Sequence, residues 1–314
     1  MSRPTVLLTD SDLGDRSFEV GLLTDALPVE VVVAECVTDA DVLREVQQHD
    51  PVAIVTQWAP VSAATIAAAT SCAIISRVGI GVDMIDLRAA EERGIPVRNV
   101  PHYCTEEVAT HAVAMAMSLW RRLPQFDAAV RAGEWDAASG APLIGRLSTS
   151  TVGLIGCGRI GAMVGRAFEV WGADVIVVDP MAGDDGFERV SLDELAERAD
   201  LISLHAPLLE STHHVIDEQF LAGVQRAPVI VNTSRGGLVD LDAAVAAVVD
   251  GRLGGLGLDV FEEEPLAAGH PVRQAPNTLL APHAAWCSRD ALPELRAGAI
   301  QNVIDALSHE EARK

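Results

Sequence analysis

The chain is poor in positive charge. Its 314 residues carry 23 Lys and Arg against 45 Asp and Glu, a formal net charge of -22. This balance speaks against a nucleic-acid partner, because phosphate backbones need clustered cations. The excess acid serves solubility, and an anionic ligand would need a locally placed cation. Cysteine is scarce as well. Cys36, Cys72, Cys104, Cys157 and Cys287 are odd in number and scattered, with no CxxC pair. Reduced thiols in a cytoplasmic protein are expected, and no metal. His213 and His214 are adjacent, lack metal-ligand spacing and are read as surface residues. Long apolar runs are absent too, so no membrane partner is expected. Met1 to Asp10 shows no basic region leading into an apolar core, and no secretory signal is expected.

What is present is alternation. Short runs rich in Val, Ile and Leu (Thr5–Thr9, Val29–Ala34, Val52–Thr56, Ala73–Arg77) are separated by polar stretches of helix length. That is the pattern of a parallel sheet buried on both faces. From Thr105 to Arg122, Val108, Ala112, Met115 and Leu119 make one helical face, with Glu106 and Glu107 in the first turn. A loop-like stretch, Gly133–Gly145, follows. A second series then predicts strands at Thr151–Ile155, Asp174–Val178, Leu201–Leu204, Val229–Asn232, Gly255–Leu258 and Thr278–Leu280. Helices are predicted near Arg159–Trp171, Leu192–Arg198, Leu241–Asp250 and Arg289–Leu307.

Gly156, Gly158 and Gly161 form GxGxxG directly after a predicted strand and at the start of a predicted helix. Glycine there permits a tight turn, close approach of a pyrophosphate and close packing of helix on strand. The helix N-terminus offers N–H groups and a positive dipole end to phosphate. Asp179 ends the next strand about 20 residues on, where a carboxylate can accept from ribose hydroxyls and repel a 2′-phosphate. The pattern predicts NAD (NADH) rather than NADP. Arg159 and Ile160 are expected to contribute backbone contacts, and His205 to border the cofactor.

Three polar residues follow three later strands: Arg235, Glu264 and His283. In a doubly wound sheet all three would lie on the edge that carries the glycine loop. Their chemistry suits reduction of a 2-oxo acid. An arginine fork holds a carboxylate, and a histidine gives a proton near neutral pH. A neighbouring carboxylate orients the ring. Thr233 and Ser234, beside Arg235, are counted with the cofactor contacts, as are Arg235 and His283 themselves. His111 is read as a packing or polar contact on its helix.

The motifs GLIGCGRIG (Gly153–Gly161), NTSRGGLVD (Asn232–Asp240), LDVFEEEP (Leu258–Pro265) and APHAAW (Ala281–Trp286) resemble the D-isomer-specific 2-hydroxyacid dehydrogenases along almost the whole chain. The resemblance implies an α/β fold of two Rossmann/flavodoxin-like domains with parallel sheets and an active-site cleft between them. It implies a discontinuous substrate-binding domain, 1–100 plus 289–314, and an NAD-binding domain, 101–288. Arg235, Glu264 and His283 fall on the family's catalytic positions. Asp259 falls near the nicotinamide carboxamide, and the backbone N–H groups of Val78 and Gly79 are implied to hold the substrate carboxylate. A homodimer is implied, built largely through the nucleotide domain. Ala284–Ala285–Trp286 is similar to the C-terminal-binding-protein branch, and Trp286 would face the substrate side chain. The expected activity is reversible hydride transfer between NADH and a small 2-oxo or 2-hydroxy acid. The alternative is an NADH-sensing protein-interaction module of the C-terminal-binding-protein type.

Overall fold

The computed structural model describes residues 3–181, 183 and 186–311, with side chains of the last helix through Ser308. The chain divides into two compact units, residues 1–104 with 288–314, and Thr105–Cys287.

The first unit runs β1 (Thr5–Leu8), α1 (Ser17–Ala26), β2 (Glu30–Val33), α2 (Asp39–His49), β3 (Ala53–Thr56), α3 (Ala63–Ala68), β4 (Ile74–Arg77), α4 (Leu87–Glu92) and β5 (Val97–Arg98). The strands form one parallel sheet in the order β2-β1-β3-β4-β5. β3 and β4 are buried at every residue, as strands covered by helices on both faces must be. Local chemistry sets the helix starts: Thr38 caps α2 and Asp41 returns a bond to the Thr38 N–H, so two otherwise orphan donors are satisfied.

The second unit opens on α5 (Thr105–Trp120) and α6 (Leu123–Arg131). It continues β6 (Thr151–Ile155), α7 (Arg159–Val170), β7 (Asp174–Val178), β8 (Glu188–Arg189), α8 (Leu192–Arg198), β9 (Leu201–Leu204) and α9 (Glu218–Gly223). β10 (Val229–Asn232), α10 (Leu241–Asp250), β11 (Gly255–Leu258) and β12 (Thr278–Leu280) complete it. The sheet is parallel throughout, in the order β12-β11-β10-β9-β6-β7-β8. The chain leaves β6 toward β7 and β8, then returns to lay β9 on the other side of β6. That reversal places a crevice beyond the carboxyl ends of β6 and β9, the usual seat of a ligand in such sheets. One core cluster joins Leu204, Phe220, Ile230 and Leu256, and another joins Met115, Leu119, Leu154, Phe168 and Val231.

The chain ends in α11 (Ala291–Glu311), which belongs to the first unit. It is tied there by Ser76 Oγ donating to the Ala299 carbonyl at 2.7 Å, and by Arg296 donating to Glu19 Oε2 at 2.7 Å. No described helix is long and apolar enough to cross a membrane.

Candidate active site

The glycine loop comes directly off β6. Gly156 has a φ of +90°, and a Cβ there would lie 2.6 Å from the Ala206 nitrogen and the His205 carbonyl carbon. Only glycine lets the loops after β6 and β9 pass this closely. A Cβ on Gly161 would lie 2.4 Å from the Gly156 carbonyl oxygen, so the third glycine lets α7 seat on the turn. Gly158 is the N-cap of α7 and lends no side-chain cap, and a Cβ on it would meet nothing within 4 Å. The N-terminus of a twelve-residue helix therefore opens onto clear space beside glycine. This cradle fits a dinucleotide pyrophosphate.

Asp179 follows β7. Its carboxylate accepts from the Cys157 N–H at 2.7 Å and the Met181 N–H at 2.8 Å. The acid is thus braced against the glycine loop itself. His205 follows β9, its N–H donating to the Ile155 carbonyl and its Nε2 lying 2.8 Å from Ser203 Oγ. Burial pushes its imidazole down to about 4, so the ring is neutral at pH 7. Thr233, at the end of β10, keeps a buried Oγ1 with no hydrogen-bond partner among the described residues, a polar atom suited to a ligand. Ser234 Oγ donates to the Leu204 carbonyl at 2.8 Å, and its N–H to Asn232 Oδ1 at 3.0 Å.

The structure brings Glu264 and His283 together. The His283 Nδ1–H donates to Glu264 Oε2 at 2.7 Å, and Glu264 Oε1 accepts the Phe261 N–H at 2.8 Å. Burial alone would raise the Glu264 carboxyl. The His283 hydrogen bond and charge, the Phe261 N–H and the Arg235 charge outweigh it and hold the group below its ordinary value. A carboxylate fixed on Nδ1 leaves Nε2 as the nitrogen for proton exchange. Arg235, after β10, donates from NH1 to the Ser234 carbonyl at 2.8 Å, and its own carbonyl accepts from Asn232 Nδ2 at 2.7 Å.

Asp259 has a task that motif reading missed. Wholly buried, it accepts the Ala284 N–H at 2.8 Å on Oδ1 and the Ala285 N–H at 2.9 Å on Oδ2. Its carbonyl accepts the His283 N–H at 2.7 Å. His283 sits at a φ of +53°, a left-handed conformation that surroundings must enforce in a non-glycine residue. Asp259 is that enforcement. His111 reaches toward it from α5, with Nε2 3.7 Å from Asp259 Oδ1. The only advance signal was an acid at the end of an apolar strand.

In the first unit the N–H groups of Val78 and Gly79 are engaged within the fold. The Val78 N–H donates to the Thr56 carbonyl at 2.8 Å, and the Gly79 N–H to the Arg77 carbonyl at 3.1 Å. The pairing of β4 with β3 runs one residue past Arg77 and takes the first donor, and a tight turn takes the second. Arg77 folds back over Gly79, donates to the Val78 carbonyl, and stands 5.4 Å from the Trp58 ring centroid. Trp286, in the second unit, directly follows the Ala284–Ala285 turn and is half-buried.

Comparison with known proteins identifies the family. The NAD binding domain of the D-isomer specific 2-hydroxyacid dehydrogenases matches residues 113–285. A glyoxylate reductase of Korarchaeum cryptofilum is 36% identical over 302 residues, covering 92% of this chain and 87% of that protein. A D-3-phosphoglycerate dehydrogenase of Mycobacterium tuberculosis H37Rv is 34% identical over 317 residues, covering 99% of this chain and 58% of that protein. The crystal structure of a D-lactate dehydrogenase from Aquifex aeolicus, complexed with NAD and lactic acid, superposes with a TM-score of 0.87 at 28% identity. That match covers 98% of this chain and 96% of the other.

Proposed function

The chain belongs to the D-isomer specific 2-hydroxyacid dehydrogenase family, as an NAD-dependent oxidoreductase acting on CH–OH groups, and on that premise we propose that it reduces a small 2-oxo acid to the D-2-hydroxy acid. The observation that carries this reading is the Glu264–His283 pair with the Arg235 charge bearing on it. Arg235 grips the substrate carboxylate through its planar fork. NADH, when bound, supplies the hydride to the carbonyl carbon. The His283 Nε2–H gives its proton to the carbonyl oxygen, leaving a neutral imidazole that solvent reprotonates. Glu264 holds the ring through Nδ1 and balances its positive charge before transfer. In the oxidative direction His283 accepts the hydroxyl proton.

Gly156, Gly158, Arg159, Ile160 and Gly161 are assigned to the pyrophosphate, and Asp179 to the adenosine ribose. His205, Thr233, Ser234 and Asp259 border the same ligand. Val78, Gly79 and Trp286 are assigned to the substrate, the first two by backbone shape rather than by uncommitted N–H groups. The first unit is proposed to bind the substrate and the second the nucleotide. A homodimer through the second unit is also part of the reading. α6 buries none of its residues, and Leu123, Val130, Trp135 and Leu143 are exposed around it. A cytoplasmic location rests on five cysteines that are odd in number and scattered, with no CxxC pair. The rival, NADH-dependent docking of a protein partner, has only Ala284–Ala285–Trp286 in its favour.

The test is consumption of NADH by the pure protein with a panel of 2-oxo acids. The panel runs from glyoxylate, the substrate in one relative's name, to apolar, thioether and phosphonate side chains. Turnover with a subset is expected. No consumption with any of them, by a folded protein that binds NADH, would sink the proposal.

A further inference from the structure

Three side chains outside the reaction converge at a point that no sequence spacing reveals. His213 and His214 lie on the loop after β9, and Glu262 on the loop after β11. Glu262 Oε1 is 2.8 Å from His214 Nε2 and 3.5 Å from His213 Nε2. The two imidazoles stack, with centroids 3.9 Å apart and planes 28° from parallel. One ligand atom from each of the three residues falls within 4.8 Å of the others.

The backbone holds this cluster in advance. The His213 N–H donates to the Leu209 carbonyl and the His214 N–H to the Gly237 carbonyl, at 2.9 and 2.8 Å. Ile216 bridges to Val239 a few residues on. A Cβ on Gly236 would lie 1.9 Å from the Phe261 carbonyl carbon, so the loops after β10 and β11 are in direct contact. His214 takes a φ of +50° to turn its ring beside that of His213.

A divalent ion at the point of convergence would draw on one lone pair from each imidazole and on the carboxylate charge together. Bonds of about 2.0–2.2 Å in a tetrahedron separate ligand atoms by about 3.3–3.6 Å; the His213–Glu262 distance of 3.5 Å lies in that range, and the 2.8 Å from His214 to Glu262 would have to open by under about 1 Å to reach it. Two imidazoles and a carboxylate suit a zinc-class ion over calcium or magnesium, with water in the remaining position. We propose that His213, His214 and Glu262 form a binding site for a divalent transition-metal ion of the zinc class. The ion would join the loop after β9 to the loop that carries Glu264.

The probe is Zn2+ titrated into the chelator-stripped full chain, read by competition with a chromophoric chelator. One equivalent is expected to bind with a Kd of about micromolar order. His213→Ala and Glu262→Gln are each expected to weaken binding at least about tenfold, while keeping wild-type NADH affinity as the check on folding. His214→Asn, which tolerates the left-handed backbone, is expected to do the same. Zn2+ is expected to raise the thermal midpoint of the wild type but not of these variants. His283→Ala is expected to retain the site, which separates it from the catalytic pair. No saturable binding below about 100 µM, unchanged affinity in the three variants, or loss of binding in His283→Ala would each overturn the assignment.

Discussion

Asp259→Asn isolates the part of the site that the motif did not announce. The side chain keeps its shape, but one acceptor oxygen becomes an NH2 group. Both oxygens of Asp259 are committed, one to the Ala284 N–H and one to the Ala285 N–H. The asparagine can accept from only one of them, and its amide must face the other, donor to donor. Ala285 and Asp259 are both buried, so water cannot repair the loss. An unsatisfied buried N–H costs about 1–3 kcal/mol, and the surviving bond loses its charge assistance, about 1 kcal/mol more. A destabilisation of about 2–4 kcal/mol is expected from these terms. The turn it releases carries His283 in its left-handed conformation. Relaxation of that residue moves Nε2, and a displacement of about 1 Å costs about 100-fold in rate. Urea unfolding midpoints and kcat at saturating NADH measure the two effects. Wild-type midpoint and kcat in Asp259→Asn would refute the clamp. A raised KM for NADH with an unchanged midpoint would give Asp259 to the cofactor instead of the turn.

Other consequences are simpler to measure. His283→Ala is expected to lower kcat by about 10²–10⁴-fold with NADH affinity unchanged, and equal losses in both would remove the residue from proton transfer. Because Glu264 is held below its ordinary carboxylate value, its stabilising contribution is present above that range and lost as pH falls through the lowered value. The stability gap between wild type and Glu264→Gln should therefore narrow below about pH 4.5; a gap unchanged on acidification contradicts the pairing. Asp179 predicts faster turnover with NADH than with NADPH, and Asp179→Ser should shrink that ratio, whereas equal wild-type rates would end the assignment. Burial first, then the nearby acids Glu45 and Asp41, push the Cys36 thiol up to about 11, and burial does the same for Cys72. Iodoacetamide at pH 8 should thus label the exposed Cys287 well before either, as peptide mass spectrometry would show.

Much of the fold was legible because parallel strands advertise themselves. All six strands expected in the second unit have the observed bounds, from Thr151–Ile155 to Thr278–Leu280. Each is a short apolar run set off by polar or glycine-rich residues, so burial on both faces and sequence agree. What escaped were elements without such a signal. β5 and β8 are two residues each, too short to carry a period. α6 lay hidden because none of its residues is buried, so no stripe marks an inward face within its unit. The expected helix to Arg122 ends at Trp120, since Arg122 turns left-handed at a φ of +53° and Pro124 opens the next helix. The loop at Gly133–Gly145 contains a 3-10 helix, Ala138–Leu143.

In the site, residue types were legible and distances were not. Glycine at 156, 158 and 161, with the acid at 179, states its chemistry in one dimension because strand, turn and helix are local. Glu264 and His283 state roles but not contact, since the bond between them is made by the parallel placement of β11 and β12. At Val78 and Gly79 the donors' partners were not legible, because a glycine-flanked turn does not say whether a ladder has already taken its N–H groups. Gly236 shows the limit most clearly. The sequence offers two glycines after Arg235 without a reason. A Cβ at the first would lie within 2.3 Å of the Glu262 nitrogen and the Phe261 carbonyl oxygen. Any side chain there would push the arginine loop off the acid loop. The glycine thus sets how near the Arg235 charge stands to Glu264, and through Glu264 to His283, so a residue with no chemistry of its own governs the electrostatics of the pair.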